Sequence, residues 1–388
     1  MSIAPQYRIY ACFFLYAIMT GAVMARLPDL QTHFGLSESQ LGLTMIGMAI
    51  GSLISLTFGA PAVERIGPRN TAFITVLGPA VLLASIPLMP SPVGMFIALF
   101  LTGFLGGAFE INLNVELDRL ETHTGKRYMN RAHGFWSVGF FVTALFGAMI
   151  RQSGLTPAWH LGLLALAVIA VTLVMVWNMQ PAPRPAGAIA TSGHAIAFPN
   201  LGLVPLCIIG FAAFLVEGAG IDWSAIYMRN VFDSTPLIGG MGLTLFAFCM
   251  AAMRLGADPI VSRHGPRNVA LVLLTLASLG ALLVGVANDQ YLALAGFALM
   301  GLGCSAVYPL AVSAAAQRTD RPASVNVAAL GQVSFVVFFL APPLLGFVAE
   351  YLGIRMSYLI CLPLLLAGLA ASAVALPGRK GPQAVVAG

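Results

Sequence analysis

Apolar residues gather in twelve stretches, at 8–28, 41–62, 70–90, 94–117, 133–152, 158–178, 202–228, 237–257, 268–287, 291–316, 326–349 and 356–376, separated by short segments that hold charge, Pro or Gly. A helix needs about 20 predominantly apolar residues to cross a bilayer, so each stretch predicts a transmembrane helix. The ninth is the clearest, because Val269 to Ala287 carries no charge. The fourth and seventh are the weakest, because Glu110, Glu217 and Asp222 interrupt them.

Between the sixth and seventh stretches lies Met179 to Asn200, rich in Pro and Ala with Arg184 as its one charge, which predicts a linker. It divides the chain nearly in half, and the halves repeat. Arg65-Ile-Gly-Pro-Arg-Asn70 recurs 198 positions later as Arg263-His-Gly-Pro-Arg-Asn268. Gly21-Ala22 answers Gly218-Ala219, Ser137 answers Ser334 and Gly147 answers Gly346. The expected fold is an all-α membrane protein of twelve transmembrane helices in two six-helix halves related by a pseudo-two-fold repeat. The halves are residues 1–178 and 201–377, joined by a linker over 179–200 and followed by a tail over 378–388.

Composition agrees with the pattern. Hydrophobic types make up 59% of the 388 residues and charged types 9%, too little charge to cover a water-soluble protein of this size. The formal charge of +5 is scattered through short loops and not gathered into a basic stripe, so nucleic acid is not an expected partner. With the termini on one face, fifteen Lys and Arg lie there; only Arg26, Arg151, Arg229 and Arg355 lie opposite. The positive-inside rule then places both termini and the linker in the cytoplasm, and the expected location is the cell's inner membrane. The five cysteines sit in apolar stretches without metal-ligand or disulfide spacing, so no metal and no cofactor is expected. No cleavable leader stands apart from the first stretch, so the N-terminus is expected to be retained.

The chain resembles the major facilitator superfamily of secondary transporters in its twelve stretches, its repeat, and its two basic Gly-containing loops. Those loops read Ala60-Pro-Ala-Val-Glu64-Arg65-Ile-Gly67-Pro68-Arg69 and Arg254-Leu-Gly256-Ala-Asp258, continuing to Arg263-His-Gly265-Pro-Arg267. The first copy departs from the family pattern with Glu64 for Asp and Ala60 for the leading Gly. More narrowly, Glu217-Gly-Ala-Gly-Ile-Asp222, Gly107-Ala-Phe-Glu110-Ile-Asn-Leu-Asn114 and His133-Gly-Phe-Trp-Ser137 are similar to the YbjJ-like branch, related to fucose-type sugar permeases. The resemblance implies proton-linked movement of a small solute, a sugar or sugar-like metabolite among the options, by alternating access in a monomer. The fifth stretch lacks the Gly-Pro motif of many drug/proton antiporters, which leaves export of drugs or metabolites as the alternative.

An ionisable side chain inside a span costs roughly 2.5–3.5 kcal/mol and marks a functional candidate. Gly103, Gly107, Glu110 and Asn114 share one helical face by their spacing. That face suits either a wet cavity or close helix packing with a structural hydrogen bond. Glu110 and Glu217 are the expected proton carriers, one in each half. Asp222 is a further carrier, or else a latch to Arg26 or Arg229 at the outer mouth. Arg26 either snorkels to the surface or holds solute. Trp136, Tyr308 and Gln332 are further cavity candidates. Glu64, Arg65, Arg69, Arg254, Asp258, Arg263 and Arg267 are expected to act as conformational locks, in contacts made only when the inner side is closed. No nucleophile-base group, phosphate loop or paired metal ligands mark an enzyme. A channel or receptor is the rival from another class.

Overall fold

The computed structural model describes residues 3–126, 128–183 and 198–378. Most of the expected linker, the tail beyond residue 378, and Arg127, Arg184, Arg379 and Lys380 lie outside the described residues. Twelve helices long and apolar enough to cross a membrane follow one another: α1 (Pro5–Phe34), α2 (Glu38–Phe58), α3 (Pro68–Leu88), α4 (Pro92–Thr124), α5 (Arg131–Gln152), α6 (Pro157–Val176), α7 (Leu201–Phe232), α8 (Pro236–His264), α9 (Pro266–Val286), α10 (Gln290–Ala316), α11 (Val325–Leu352) and α12 (Met356–Ala375). Each expected stretch falls on one of them. With an even number of spans, the start of α1 and the end of α12 share a face, called here the terminal face.

The repeated loops fold alike for a readable reason. Gly67 and Gly265 take φ of 82° and 81°, a region open to glycine at little cost, and the following Pro68 and Pro266 begin α3 and α9. Asn70 and Asn268 donate back to the carbonyls of Ile66 and His264 at 3.4 and 3.2 Å, closing the end of the preceding helix. The shared Gly-Pro-Arg-Asn is therefore a two-helix corner used twice.

Within each half, small residues let backbones meet. A methyl added to Gly103 would overlap the Met48 carbonyl oxygen, and one on Gly301 would overlap the Phe246 carbonyl oxygen. Both members of the second contact lie 198 positions after those of the first, so the repeat extends to the closest helix crossings. Gly51 on α2 meets the Phe100 carbonyl of α4 just as tightly.

At the face opposite the termini the halves are tied together. Arg229 of α7 donates to the Pro28 carbonyl at 2.7 Å and to the Gln31 side-chain oxygen at 2.5 Å on α1. Asn230 donates to Glu38 at 3.0 Å, the Ser39 amide donates to Glu350 at 3.0 Å, and the Leu237 amide donates to Gln152 at 3.1 Å. Near that face Gly42 of α2 packs on the backbone at Pro342 of α11. Nearer the terminal face, Leu53 and Leu56 of α2 and Phe335 of α11 line an open space instead.

At the terminal face the side-chain hydrogen bonds and ion pairs among the described residues stay within a half. Arg318 pairs with Asp320 at 2.9 Å and donates to the Gly202 carbonyl at 2.9 Å. Arg318 and Asn200, both donating to it, hold the Asp320 carboxyl well below the usual carboxylate range.

The crossing geometry predicts that Gly51→Val lowers the thermal midpoint of the purified protein, with a cost of about 1–3 kcal/mol for overpacking. Gly162→Ala should leave it unchanged or slightly higher, because an added methyl there meets nothing within 4 Å. Equal effects from the two substitutions would contradict the packing account.

Candidate functional site

A cavity of about 540 Å³ lies between the halves, within the size range of small-molecule sites. Helices α1, α2, α4 and α5 line it from the first half, and α7 and α11 from the second. Its wall is mostly apolar: Met24, Met45, Met48, Leu99, Phe140, Ile221, Phe335, Phe339 and others. Polar groups enter at few points, namely Tyr16, Thr20, Ser52, Glu110, Asn114, Trp136, Glu217 and Asp222.

The α4 face expected from spacing carries both of its candidate roles at once. Gly107 packs against the Ser52 backbone of α2, and the Ser52 hydroxyl donates to the Gly103 carbonyl at 3.0 Å. That close approach turns Glu110 and Asn114 toward the cavity. Asn114 Nδ2 donates to Glu110 Oε2 at 2.9 Å, while Asn114 Oδ1 is buried with no partner.

Glu217 is differently placed. Arg254 of α8 reaches it at 3.1 Å and also donates from Nε to the Ser305 carbonyl at 3.0 Å. The second bond has a covalent cause. Helix α10 is interrupted between Cys304 and Val307, and Pro309, four residues after Ser305, has no N–H to give that carbonyl. Arg254 supplies the missing donor and neutralises Glu217 with the same guanidinium. It stands within α8, ten residues before its end at His264, because that helix continues past the expected boundary at 257. Arg254 is therefore separated from the corner it was expected to lock.

Asp222 lies one helical turn and a little more along α7 from Glu217 and also faces the cavity. Neither expected arginine reaches it. Arg229 is engaged on α1. Arg26 is buried, 2% exposed, and is held by Asp29 at 2.8 Å, His160 Nδ1 at 3.0 Å and the Leu155 carbonyl at 2.8 Å. Arg151 completes that cluster with Asp29 at 2.8 Å. The Arg26 charge thus binds α1, α5 and α6 together, pointing neither to the surface nor into the cavity lining.

Trp136 reaches the cavity and stacks on Phe140 with ring centroids 5.3 Å apart. Tyr308 does not; it packs on Phe214 at 4.6 Å. Gln332 is half-buried on α11 outside the lining. Tyr16, Thr20 and Ser52, absent from the expectations, do line it. Their spacing, with Thr20 one turn after Tyr16, was the available signal, but uncharged polar residues are common in spans.

Among the lock candidates, Glu64, Arg65, Asp258 and Arg263 are exposed and make no ion pair among the described residues. Arg69 lies over Trp177 at 5.5 Å, and Arg267 donates to the Leu376 carbonyl at 3.0 Å. Glu116, on the cytoplasm-directed end of α4 predicted by the charge pattern, pairs with Arg119 at 2.8 Å and accepts from the Ala182 amide at 2.7 Å. Among the described residues no cluster of His, Cys, Asp and Glu fits a metal ion.

Comparison with known proteins agrees with this architecture. An uncharacterized transporter, y4wD, from Sinorhizobium fredii is 30% identical over 92% of this chain and 94% of its own. The membrane protein MosC of Rhizobium meliloti is 25% identical over 89% and 84%. Among solved structures, the transporter FucP in an outward conformation superposes with a TM-score of 0.65 at 16% identity over 96% of this chain and 98% of that one. The nucleoside transporter NupG gives 0.72 at 13% identity over 95% and 99%. The family model of the Major Facilitator Superfamily matches residues 9–217 and 206–388, and the chain belongs to that superfamily.

Proposed function

We propose that the protein is a proton-linked secondary transporter that moves a small organic solute through the central cavity by alternating access. One observation carries the reading: two carboxyl groups, Glu110 on α4 and Asp222 on α7, face a cavity between the halves with no cation among the described residues beside them. A charge held that deep is costly, so such groups persist where they serve an ion or solute pathway. Each half supplies one, so a rocking motion of the halves would present both to one face and then the other. Glu217, expected with Glu110 to carry the proton, is paired with Arg254 at 3.1 Å, which makes Asp222 the preferred carrier of the second half in this reading.

The positive-inside rule makes the terminal face cytoplasmic, in the inner membrane of a bacterial cell. The arrangement then represents an inward-open state, closed outside by Arg229, Asn230 and Glu350. The unpaired Glu64, Arg65, Asp258 and Arg263 are residues that can find partners when the cytoplasmic side closes. The neighbours include a fucose:proton symporter and a nucleoside transporter, which keeps hydroxylated solutes in the test panel.

For orientation, after native cysteines are replaced, a cysteine at Thr124 should resist an impermeant reagent added to intact cells while one at Ser153 reacts; the reverse pattern inverts the assignment. For coupling, proteoliposomes loaded with whichever solute stabilises the protein in a thermal-shift panel should accumulate it under a pH gradient. Glu110→Gln should abolish that accumulation yet keep downhill flux at saturating solute. A membrane potential of 100 mV contributes about 2.3 kcal/mol per proton, so the loss is readily measured. Wild-type accumulation in Glu110→Gln would remove it as a carrier.

For Glu217, Gln should lower stability by about 1–3 kcal/mol, since the Arg254 guanidinium loses a charged partner; the figure stays modest because Arg254 is 31% exposed. Combining it with Arg254→Gln should recover part of that loss. Strict additivity of the two substitutions would show that the pair is not coupled.

A further inference from the structure

The hydrogen-bonding inventory of the cavity is lopsided. The Thr20 hydroxyl is spent on the Tyr16 carbonyl at 3.1 Å, the Ser52 hydroxyl on Gly103, and one Asn114 N–H on Glu110. No Lys, Arg or His side chain lines the space, and Arg254, behind Glu217, already donates to that carboxylate and to Ser305. What remains to meet a solute is the Glu110 and Asp222 carboxylates and the buried, partnerless Asn114 Oδ1 as acceptors, against the Tyr16 hydroxyl, the Trp136 indole N–H and the second Asn114 N–H as neutral donors, so the charged groups in the wall are acidic alone among the described residues. An ionised carboxylate and an amide oxygen accept only, so a complementary solute must bring donors and few acceptors.

The rest of the wall narrows the class. A sugar or nucleoside can donate its hydroxyls to the carboxylates but brings more acceptor oxygens than the few donors of this apolar wall can meet, and an anion would meet uncompensated negative charge. An apolar body, by contrast, fits the Met and Phe surfaces, and aromatic faces at Trp136 and Phe140 attract a cation. We propose that the cavity takes a protonated organic amine with an apolar body, its ammonium drawn to Glu110 and Asp222 and its body laid against the aromatic and methionine wall. The proposal rests on the transport reading above and names the solute class of that same site. It also gives the carboxylates a double use, since ammonium and proton compete for them.

Matched pairs that differ only in charge test this without any substitution. Binding to the purified protein in detergent is measured by titration calorimetry for phenethylamine against phenethyl alcohol, and for hexylamine against hexanol, with fucose and uridine as neutral polar solutes. The expected result is saturable binding of the amines, about tenfold or more tighter than the alcohols, and no saturable binding of fucose or uridine. Asp222→Asn and Glu110→Gln should each reduce the amine preference while leaving the alcohol unchanged. Equal affinity within each pair, binding of fucose or uridine in preference to the amines, or absence of amine binding would overturn the proposal. Uptake of the same probes into proteoliposomes separates the two claims. Fucose or uridine accumulating while amines are ignored removes the amine class and keeps the transporter. An amine that binds but is never moved keeps the class and removes transport by this route.

Discussion

A charge inside a bilayer must be matched from within the protein, because lipid offers no hydrogen bond and no counter-ion. That requirement sorts the acids of the deeper spans. Asp29 is matched by Arg26 and Arg151, Glu116 by Arg119, and Glu217 by Arg254. Each pair does structural work: it ties α1 to α5 and α6, holds the chain after α6 at Ala182, or spans α7, α8 and the break in α10. Among the described residues no cation matches Glu110 or Asp222, and both face the cavity between the halves. Their lack of a cationic partner among the described residues is what singles them out.

The same economy explains how such a structure can move. Inside each half, glycines at Gly103 and Gly301 bring backbones into contact, which leaves little room for sliding, as the proposed rocking of the halves requires. Between the halves, the ties at the face opposite the termini are the packing of Gly42 on the Pro342 backbone and hydrogen bonds at helix ends, the latter including Arg229 to Gln31 and Asn230 to Glu38. Such contacts are modest in net strength. The proposed alternating access would exchange them for contacts at the terminal face, where Arg65 and Arg263 make no ion pair among the described residues.

Much of this was legible in the chain. Span length and the repeated Gly-Pro-Arg-Asn corner follow from local rules, so the twelve helices and the repeat could be read directly. The α4 face was also legible, because Gly103, Gly107, Glu110 and Asn114 share a side by spacing alone. Pairing was not. That Arg26 turns to Asp29 and His160, and that Arg254 reaches both Glu217 and Ser305, depends on which helices are neighbours across the bundle. The overlong α8 hid Arg254's depth, since polar residues continue a helix beyond its apolar core without any change in period. Tyr308 sits at the repeat position of Glu110, yet the break in α10 just before it turns it toward Phe214.

The central claim is that one cavity opens to one face at a time. Its most direct test is the reactivity of a single cysteine at Ser52, in a chain whose five native cysteines are replaced, reconstituted in vesicles of known orientation. An impermeant thiol reagent should modify it from the terminal face at rest. When transport is driven, reactivity should appear at the opposite face and fall at the first. Simultaneous access from both faces would indicate a channel, and access from neither under any condition would show that the cavity is no part of a transport route.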